Sequence, residues 1–222
     1  MQRTYNVTIT GKSPLLMHWD NIEWADEMKA WSSAPENKKL SMAGDDRSPG
    51  WRWFGYLYND GQHIALPADN LMRSLMEGGA SVPVPGGKGG KTFKSQSQSG
   101  MMVGEPYWPM FVDGRLVKVS ELAPLRGEMD ITKHRDVVKS LGFDLLIKRA
   151  AIERKKHVRV RPKFDRWAAK GTIVVWDDQI TDKILQDIIA YAGNYKGLGD
   201  WRPSSKTPGA YGMFDAEVKL AR

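Results

Sequence analysis

Cysteine is absent from the 222-residue sequence. Its absence excludes a disulfide framework and any metal site built from thiolates, and it is typical of proteins from a reducing cytoplasm. Long apolar runs are missing as well: no stretch approaches the ~18–20 apolar residues of a membrane span, and the N-terminal residues lack the uninterrupted apolar segment of a signal peptide. We therefore expect a cytoplasmic protein that does not insert into a membrane.

Motifs for metal or nucleotide binding are also lacking. The four histidines show neither HxxxH nor HExxH spacing, so the sequence does not support a zinc site. The segment GGKGGKT at 86–92 is similar to a phosphate-binding loop, but Pro85 stands where that motif requires its first glycine. We expect neither a metal nor a cofactor.

Acidic residues are almost missing from the stretch Lys148–Lys163 (KRAAIERKKHVRVRPK). It carries eight Lys or Arg and a single Glu, a net charge of +7 that equals the formal net charge of the whole chain. A positive charge concentrated in this way favours a polyanionic partner over a merely solvated surface. Within the stretch, HVRVR alternates like a strand, which places Arg159 and Arg161 on one face and two valines on the other.

Alternating and helical apolar patterns predict an α+β fold. Helical spacing follows Pro67 and Thr181, and strands are indicated at 4–10, 63–66, 157–161, 172–176 and 214–220. In this order the elements predict a ferredoxin-like (β-α-β-β-α-β), RRM-like core. We expect a single domain over residues 1–222, with long insertions at roughly 20–62 and 81–131.

Tryptophan is concentrated in the first of these insertions. Trp24 and Trp31 share one face of a predicted helix, and such a stripe favours core packing. Trp51 and Trp53 lie in a segment with neighbouring arginines, where a base-stacking surface and core packing are about equally supported.

Other residues of the insertions are predicted to be exposed. Asp20 is predicted to cap the helix that follows it, and Asp45 and Asp46 are expected to lie in a solvated turn. The segment 86–100 contains five glycines and three lysines but no acidic residue, so we expect a flexible, exposed loop.

A glycine-rich segment, Gly197–Gly212 (GLGDWRPSSKTPGAYG), separates the last predicted helix from the last predicted strand. It is longer than a helix-to-strand connection requires. Its glycines permit positive φ angles and close backbone approach, so that N–H groups can meet phosphate oxygens. Trp201 can stack on a base, and Arg202 and Lys206 add positive charge.

This arrangement resembles the RAMP superfamily, the ferredoxin-like RNA-binding proteins of CRISPR systems. In that superfamily a helix is followed by a glycine-rich loop with an arginine and then by a short terminal strand, as in TDKILQDIIAYAG, GLGDWRPSSKTPGAYG and FDAEVKL. The segment HIALPADNLMRSL resembles the superfamily's entry into its first helix, with Arg73 as the basic residue. Size and insertions look most like the Cas7-like group, whose members polymerise along guide RNA. A relative from a phage or another mobile element fits equally well.

The resemblance implies a protein that binds single-stranded RNA or DNA through the phosphate backbone with weak sequence preference. It also implies a homo-oligomer along the nucleic acid or a subunit of a ribonucleoprotein. With about five phosphate contacts, the log–log salt slope is expected to be about −3.5. The candidate nucleic-acid-binding residues are Lys148, Arg149, Arg154, Lys155, Lys156, Arg159, Arg161, Lys88, Lys91, Lys94, Arg73, Trp201, Arg202, Lys206, Gly197 and Gly199.

Two alternatives stay open beside the non-catalytic binder. Some RAMP proteins cleave RNA, with a His in the loop after the first strand or with an Asp on a Cas7-type loop, and His18 and Asp20 lie in the corresponding loop here. The first alternative is therefore a metal-independent endoribonuclease of the Cas6-like branch that uses His18, with Asp20 as the other catalytic candidate. A partly buried His18 and a helix-capping Asp20 are favoured over that role. The second alternative is a non-enzymatic interaction protein whose basic strand meets an acidic partner.

Overall fold

The computed structural model describes residues 2–41, 44–152 and 155–221. In this part of the chain, helices are combined with antiparallel sheets, which confirms the coarse α+β class. None of the described helices has the length and hydropathy that crossing a membrane requires.

The described residues form ten strands in two antiparallel sheets. Their bounds are β1 Arg3–Gly11, β2 Leu15–Leu16, β3 Ala65–Pro67, β4 Met101–Val103, β5 Tyr107–Val112, β6 Arg115–Leu116, β7 Asp144–Ile152, β8 Lys155–Phe164, β9 Trp167–Val175 and β10 Phe214–Leu220. The main sheet has the order β10-β1-β9-β5-β3, with β4 paired to β9 and β6 paired to β5. The second sheet has the order β2-β8-β7.

The described α-helices are α1 Ile22–Ser33, α2 Ala68–Gly79, α3 Lys94–Ser99, α4 Ile131–Ser140 and α5 Asp182–Tyr191. The predicted cap of α5 is confirmed, since Thr181 Oγ1 accepts from the N–H of Ile184 at 3.4 Å. The predicted cap of α1 is wrong by one residue. Asn21 Oδ1, and not Asp20, accepts from the N–H of Trp24 at 3.2 Å.

Helices α2 and α5 share one hydrophobic core with the main sheet. Tyr5 and Val7 of β1 are buried in the same cluster as Leu185 of α5. The two helices approach closely at Gly78, where an added Cβ would lie 2.5 Å from the carbonyl oxygen of Ile188. A side chain at position 78 would therefore push the two helices apart.

The tryptophan-rich insertion forms part of the core. A 3-10 segment, Gly50–Tyr56, buries Trp51 and Trp53, and Trp53 stacks on Phe54 with ring centroids 4.3 Å apart. The base-stacking interpretation of Trp51 and Trp53 is therefore wrong. Trp24 of α1 also stacks on Phe54, with ring centroids 5.4 Å apart. This contact supports the prediction that the tryptophan face of α1 packs against the core.

The second predicted insertion is also partly structural. Segment 81–131 supplies β4 and β5, both paired to β9 in the main sheet, so its description as an insertion needs correction. Within 86–100, residues 94–99 form α3 and bury Ser97 instead of continuing as a loop. The predicted strand HVRVR forms within β8, but it lies in the second sheet and not beside β9.

Candidate nucleic-acid interface

The basic stretch forms the antiparallel hairpin β7–β8. Lys148 pairs with Arg159 and Leu146 pairs with Arg161, so these four side chains share one face. On the opposite face Val160 is buried in the core. The hairpin thus places Lys148, Arg159 and Arg161 on one face, while Val160 on the other face packs in the core.

The glycine-rich segment lies against β2, next to this hairpin. The N–H of Asp200 donates to the carbonyl of Leu16, and the N–H of Gly212 donates to the carbonyl of Pro14, both at 2.8 Å. Strand β2 pairs in turn with β8. The two segments that the sequence singled out are therefore neighbours in space although about forty residues separate them in the chain.

A groove of about 520 Å³ runs between the hairpin and the glycine-rich segment. It is lined by Leu16, His18, Leu146, Lys148, Arg149, Ala150, Arg159, Arg161, Asp200, Trp201 and Thr207. Six of these residues belong to the predicted binding or catalytic set. Asp20, the other catalytic candidate, is not among the lining residues.

Asp46 organises the arginines below the groove. Its fully buried carboxylate lies 3.3 Å from Arg52, 3.0 Å from Arg159 and 3.2 Å from Arg161. The prediction of a solvated turn is therefore wrong for Asp46, and it is also wrong for Asp45, which is buried and bonded to Arg47. The carboxylate holds three guanidinium groups together and neutralises one of their three charges.

Backbone pairing brings Asp46 to this position. The N–H of Val158 donates to the carbonyl of Gly44 at 2.8 Å, and the N–H of Asp46 donates to the carbonyl of Val158 at 2.9 Å. This contact joins positions that are more than one hundred residues apart. No local pattern in the sequence indicates it, which is why Asp46 was missed.

Besides Asp46, three other groups enclose Arg161. Its Nε lies 3.1 Å from Asp200 Oδ2, its Nη2 lies 3.4 Å from His18 Nε2, and its guanidinium carbon lies 4.4 Å from the ring centroid of Tyr56. Only 10% of its side chain is exposed. Arg161 therefore acts as an internal organiser of the groove more than as a free phosphate ligand.

His18 lies at the same junction, with its Nδ1 3.7 Å from Asp200 Oδ2. Partial burial and the nearby Arg161 guanidinium lower the pKa of His18, and the carboxylates of Asp200 and Asp46 offset this only in part. The imidazole is therefore neutral at pH 7. Because 46% of the side chain is exposed, a ligand in the groove can reach it.

Trp201 forms the aromatic wall opposite the hairpin. The Lys148 ammonium lies 3.8 Å from its ring centroid, and Tyr211 stacks on it at 5.7 Å with an interplanar angle of 22°. Its backbone has a φ of +53°, which is uncommon for a residue other than glycine.

The glycines of this segment serve internal packing. The N–H groups of Gly197, Gly209 and Gly212 donate to the carbonyls of Ala192, Arg202 and Pro14, so they are not available to phosphate. At Gly199, with φ +72°, an added Cβ would lie 2.2 Å from the carbonyl oxygen of Leu16. The phosphate-binding role predicted for Gly197 is therefore wrong, and Gly199 is required for close packing on β2.

Arg73 and Arg202 lie outside the groove and share one carboxylate. Arg202 forms two hydrogen bonds with Glu77 of α2, at 3.0 and 3.1 Å, and Arg73 Nε lies 2.7 Å from Glu77. Ser204 Oγ also donates to Glu77, at 2.8 Å. Together these contacts attach the glycine-rich segment to α2, so Arg202 has a structural role that the prediction did not include.

The lysines of the predicted loop form a separate surface. Lys88, Lys91 and Lys94 line a shallow depression of about 880 Å³ that contains no residue of the hairpin groove. Lys156 is exposed near the hairpin tip and Lys206 is exposed on the glycine-rich segment, and neither lines the groove. Arg154 and the side chain of Lys155 lie outside the described residues.

Comparisons with known proteins do not assign the chain to a family. No protein-family model and no curated protein sequence matches it. Within the part of the chain that the structure describes, no three His, Asp or Glu side chains are grouped as a metal site would require.

Proposed function

We propose that this protein binds single-stranded nucleic acid, with RNA as the first candidate, along the groove between the β7–β8 hairpin and the glycine-rich segment. The observation that carries the proposal is the Lys148–Trp201 contact. A cation and an aromatic ring from two distant segments meet at 3.8 Å on the wall of one groove. Cationic side chains that follow a backbone and rings that accept bases are the two components of single-strand binding sites.

The charge of the groove supports an anionic ligand. Five cations (Lys148, Arg149, Arg159, Arg161 and Arg52 behind them) face two carboxylates, Asp46 and Asp200, which leaves a net charge of +3. Lys148 and Arg149 are exposed, whereas both arginines of β8 are engaged by carboxylates. We therefore revise the expected salt slope from about −3.5 to about −2, at ~0.7 per neutralised phosphate.

The strand order supports a ferredoxin-like core of the RAMP type as part of this proposal. Taking β1, the β4–β5 pair, β9 and β10 as the four strands, and α2 and α5 as the two helices, the chain runs β-α-β-β-α-β. In their spatial order, β10-β1-β9-β5, all neighbouring strands are antiparallel. Strands β1 and β5 therefore run in the same direction on either side of β9, and β9 and β10 run in the same direction on either side of β1. In the proposal β7–β8 is then an insertion that carries the binding face, in a cytoplasmic protein that assembles along the strand as Cas7-like proteins do.

A salt titration with a labelled single-stranded RNA tests the proposal. We expect the Lys148→Ala/Arg149→Ala variant to bind more weakly and to have a log–log slope shallower by about 1.4. The control, Lys183→Ala/Lys219→Ala, removes two exposed charges from α5 and β10 and should leave both values unchanged. An equal loss of RNA affinity in both variants, or RNA binding that salt does not weaken, would contradict binding in the groove. Either result would favour an acidic protein as the partner.

Cleavage by His18 is a second candidate because its half-exposed, neutral imidazole lies in this groove beside Asp200. Such an imidazole can accept the proton of a ribose 2′-hydroxyl without a metal. Incubation of labelled RNA in EDTA tests this directly. Cleavage that His18→Ala abolishes would support the enzyme, and intact RNA in a stable complex would support the binder.

A further inference from the structure

A second cavity lies beside the groove, on the far side of Tyr56. Its volume is about 240 Å³, which is sufficient for one purine or pyrimidine ring system. It is lined by Trp19, Asp20, Asn21, Trp24, Ala25, Met28, Arg52, Gly55 and Tyr56. The cavity is thus formed by the N-terminal part of α1 and by the 3-10 segment Gly50–Tyr56.

The aromatic walls of this cavity are held in place by the core. Trp24 stacks on Phe54 with an interplanar angle of 12°, and Trp19 meets Tyr58 edge to face at 6.3 Å. At Gly55 an added Cβ would lie 2.9 Å from Trp24 Cβ, so the floor depends on glycine. The rings are therefore in position before any ligand binds, which reduces the entropic cost of binding.

Polar groups surround the aromatic walls. Asn21 Oδ1 accepts from the backbone of α1, and its amide nitrogen has no partner among the described residues. Asp20 is exposed and, in the described part of the chain, forms neither a hydrogen bond nor an ion pair. An amide donor and a carboxylate acceptor beside flat apolar walls match the edge and the faces of a nucleobase.

Two residues that line the cavity, Tyr56 and Arg52, connect it to the arginines of the groove through side-chain contacts. Tyr56 lines the cavity, and the Arg161 guanidinium lies 4.4 Å from its ring centroid on the groove side. Arg52 lines the cavity, donates to Tyr56 Oη at 3.3 Å, and reaches the buried Asp46 that also holds Arg159. A continuous series of side-chain contacts therefore links the groove to the mouth of the cavity.

From this continuity we infer that the cavity receives one nucleobase of the strand whose phosphates lie in the groove. The inference rests on the proposed function. It adds a base subsite to a backbone-binding surface. It also explains why aromatic side chains, and two polar groups that lack hydrogen-bond partners among the described residues, surround a cavity that the core leaves open.

Two strands of equal length, one with bases and one fully abasic, test the base subsite. Both carry the same phosphates, so the ratio of their affinities measures base contacts alone. Wild-type protein should prefer the base-bearing strand by tenfold or more, since each stacked base contributes a large factor. Trp19→Leu should reduce this ratio severalfold while leaving the affinity for the abasic strand and the salt slope unchanged.

A second variant covers the case in which Trp19→Leu does not fold. Ala25→Phe adds a ring to an exposed position of α1 that lines the cavity, so it should fill the cavity without removing a core side chain and should reduce the ratio similarly. Trp176→Leu, which removes an exposed tryptophan elsewhere, is the control.

The outcomes separate the two proposals. One outcome is that both cavity variants retain the wild-type ratio of affinities for the two strands while Lys148→Ala/Arg149→Ala still weakens binding. In that case the base subsite is wrong, and the proposal that the groove binds the strand is retained. If neither strand binds the wild-type protein, the proposed function fails and the subsite fails with it.

Discussion

Asp200 Oδ2 lies 3.1 Å from Arg161 Nε, so the glycine-rich segment places a carboxylate on the arginine that the sequence marked as a phosphate ligand. The same carboxylate lies 3.7 Å from His18. Asp200 is only partly exposed and Arg161 is almost buried. The pair thus joins β8 to the glycine-rich segment. At the edge of the groove, the Asp200 carboxylate takes the place on Arg161 that a phosphate of the ligand would otherwise occupy.

Replacing Asp200 with Asn should strengthen the binding of single-stranded RNA. The change raises the net charge of the groove from +3 to +4 and frees Arg161 Nε for a phosphate oxygen. We expect severalfold tighter binding near 0.1 M salt and a log–log slope steeper by about 0.7. Fluorescence anisotropy at several salt concentrations measures both values.

The control for this change is Asp215→Asn, which removes the same charge from the exposed edge strand β10. It should alter affinity much less than Asp200→Asn. Weaker binding by Asp200→Asn would show that the carboxylate is needed to orient Arg161 and does not compete with the ligand.

Replacing Asp46 with Asn should destabilise the fold. Three guanidinium groups share this buried carboxylate, and breaking a buried ion pair by removing one partner costs about 3–5 kcal/mol. Urea unfolding measures the loss. Asp215→Asn is the matched control, because the Lys12–Asp215 pair is exposed and contributes about 1 kcal/mol or less. Equal midpoints for the two variants would be inconsistent with the central role of Asp46.

Stability should fall in mild acid because of His134. This fully buried residue accepts from Trp53 Nε1 at its Nδ1, at 3.0 Å, and its Nε2 lies 2.9 Å from the carbonyl of Glu128. Burial lowers the pKa of His134, so below pH ~6.5 the unfolded chain takes up a proton before the folded protein does. The free energy of unfolding should therefore decrease with falling pH, by at most about 1.4 kcal/mol per pH unit from this residue.

Urea titrations at pH 7.5 and pH 5 test this assignment. His134→Gln should be less stable than wild type at pH 7.5 but should lose less stability on acidification. The pKa of His18 is lowered as well, yet its side chain is half exposed, so His18→Gln should reduce the pH dependence less. An unchanged pH dependence in His134→Gln would refute the assignment.

Replacing Gly212 with Ala should destabilise the glycine-rich segment. The residue has φ +71°, and an added Cβ would lie 1.9 Å from the carbonyl oxygen of Leu198. Backbone strain of about 1–2 kcal/mol and overpacking of about 1–3 kcal/mol give an expected loss of about 2–5 kcal/mol. Gly61→Ala, with φ +90° and open space around it, isolates the strain alone and should cost no more than about 2 kcal/mol. Equal midpoints in thermal unfolding would contradict the close packing.

Elements that depend on local periodicity could be predicted from the sequence. The alternation in FDAEVKL and in TYNVTIT corresponds to β10 and β1, and the apolar spacing after Thr181 corresponds to α5. The concentrated charge of the basic stretch and the glycine-rich segment were also evident without a structure. Local sequence carries this information because side-chain direction in a strand or helix follows directly from the backbone period.

The tertiary structure decided which of these residues act together. Pairing of residues 44–46 with β8 places Asp46 under two arginines, and packing of the glycine-rich segment on β2 places Asp200 on Arg161. The tertiary structure also separates the predicted cations into three places: the groove, the ion pairs of Arg73 and Arg202 with Glu77, and the depression lined by Lys88, Lys91 and Lys94. Ion pairs between distant segments depend on how the sheets associate, and no local pattern of charge or apolar spacing encodes that association. The sequence therefore determined the elements and the total charge of the basic stretch, and the fold determined which charges are neutralised and which remain exposed.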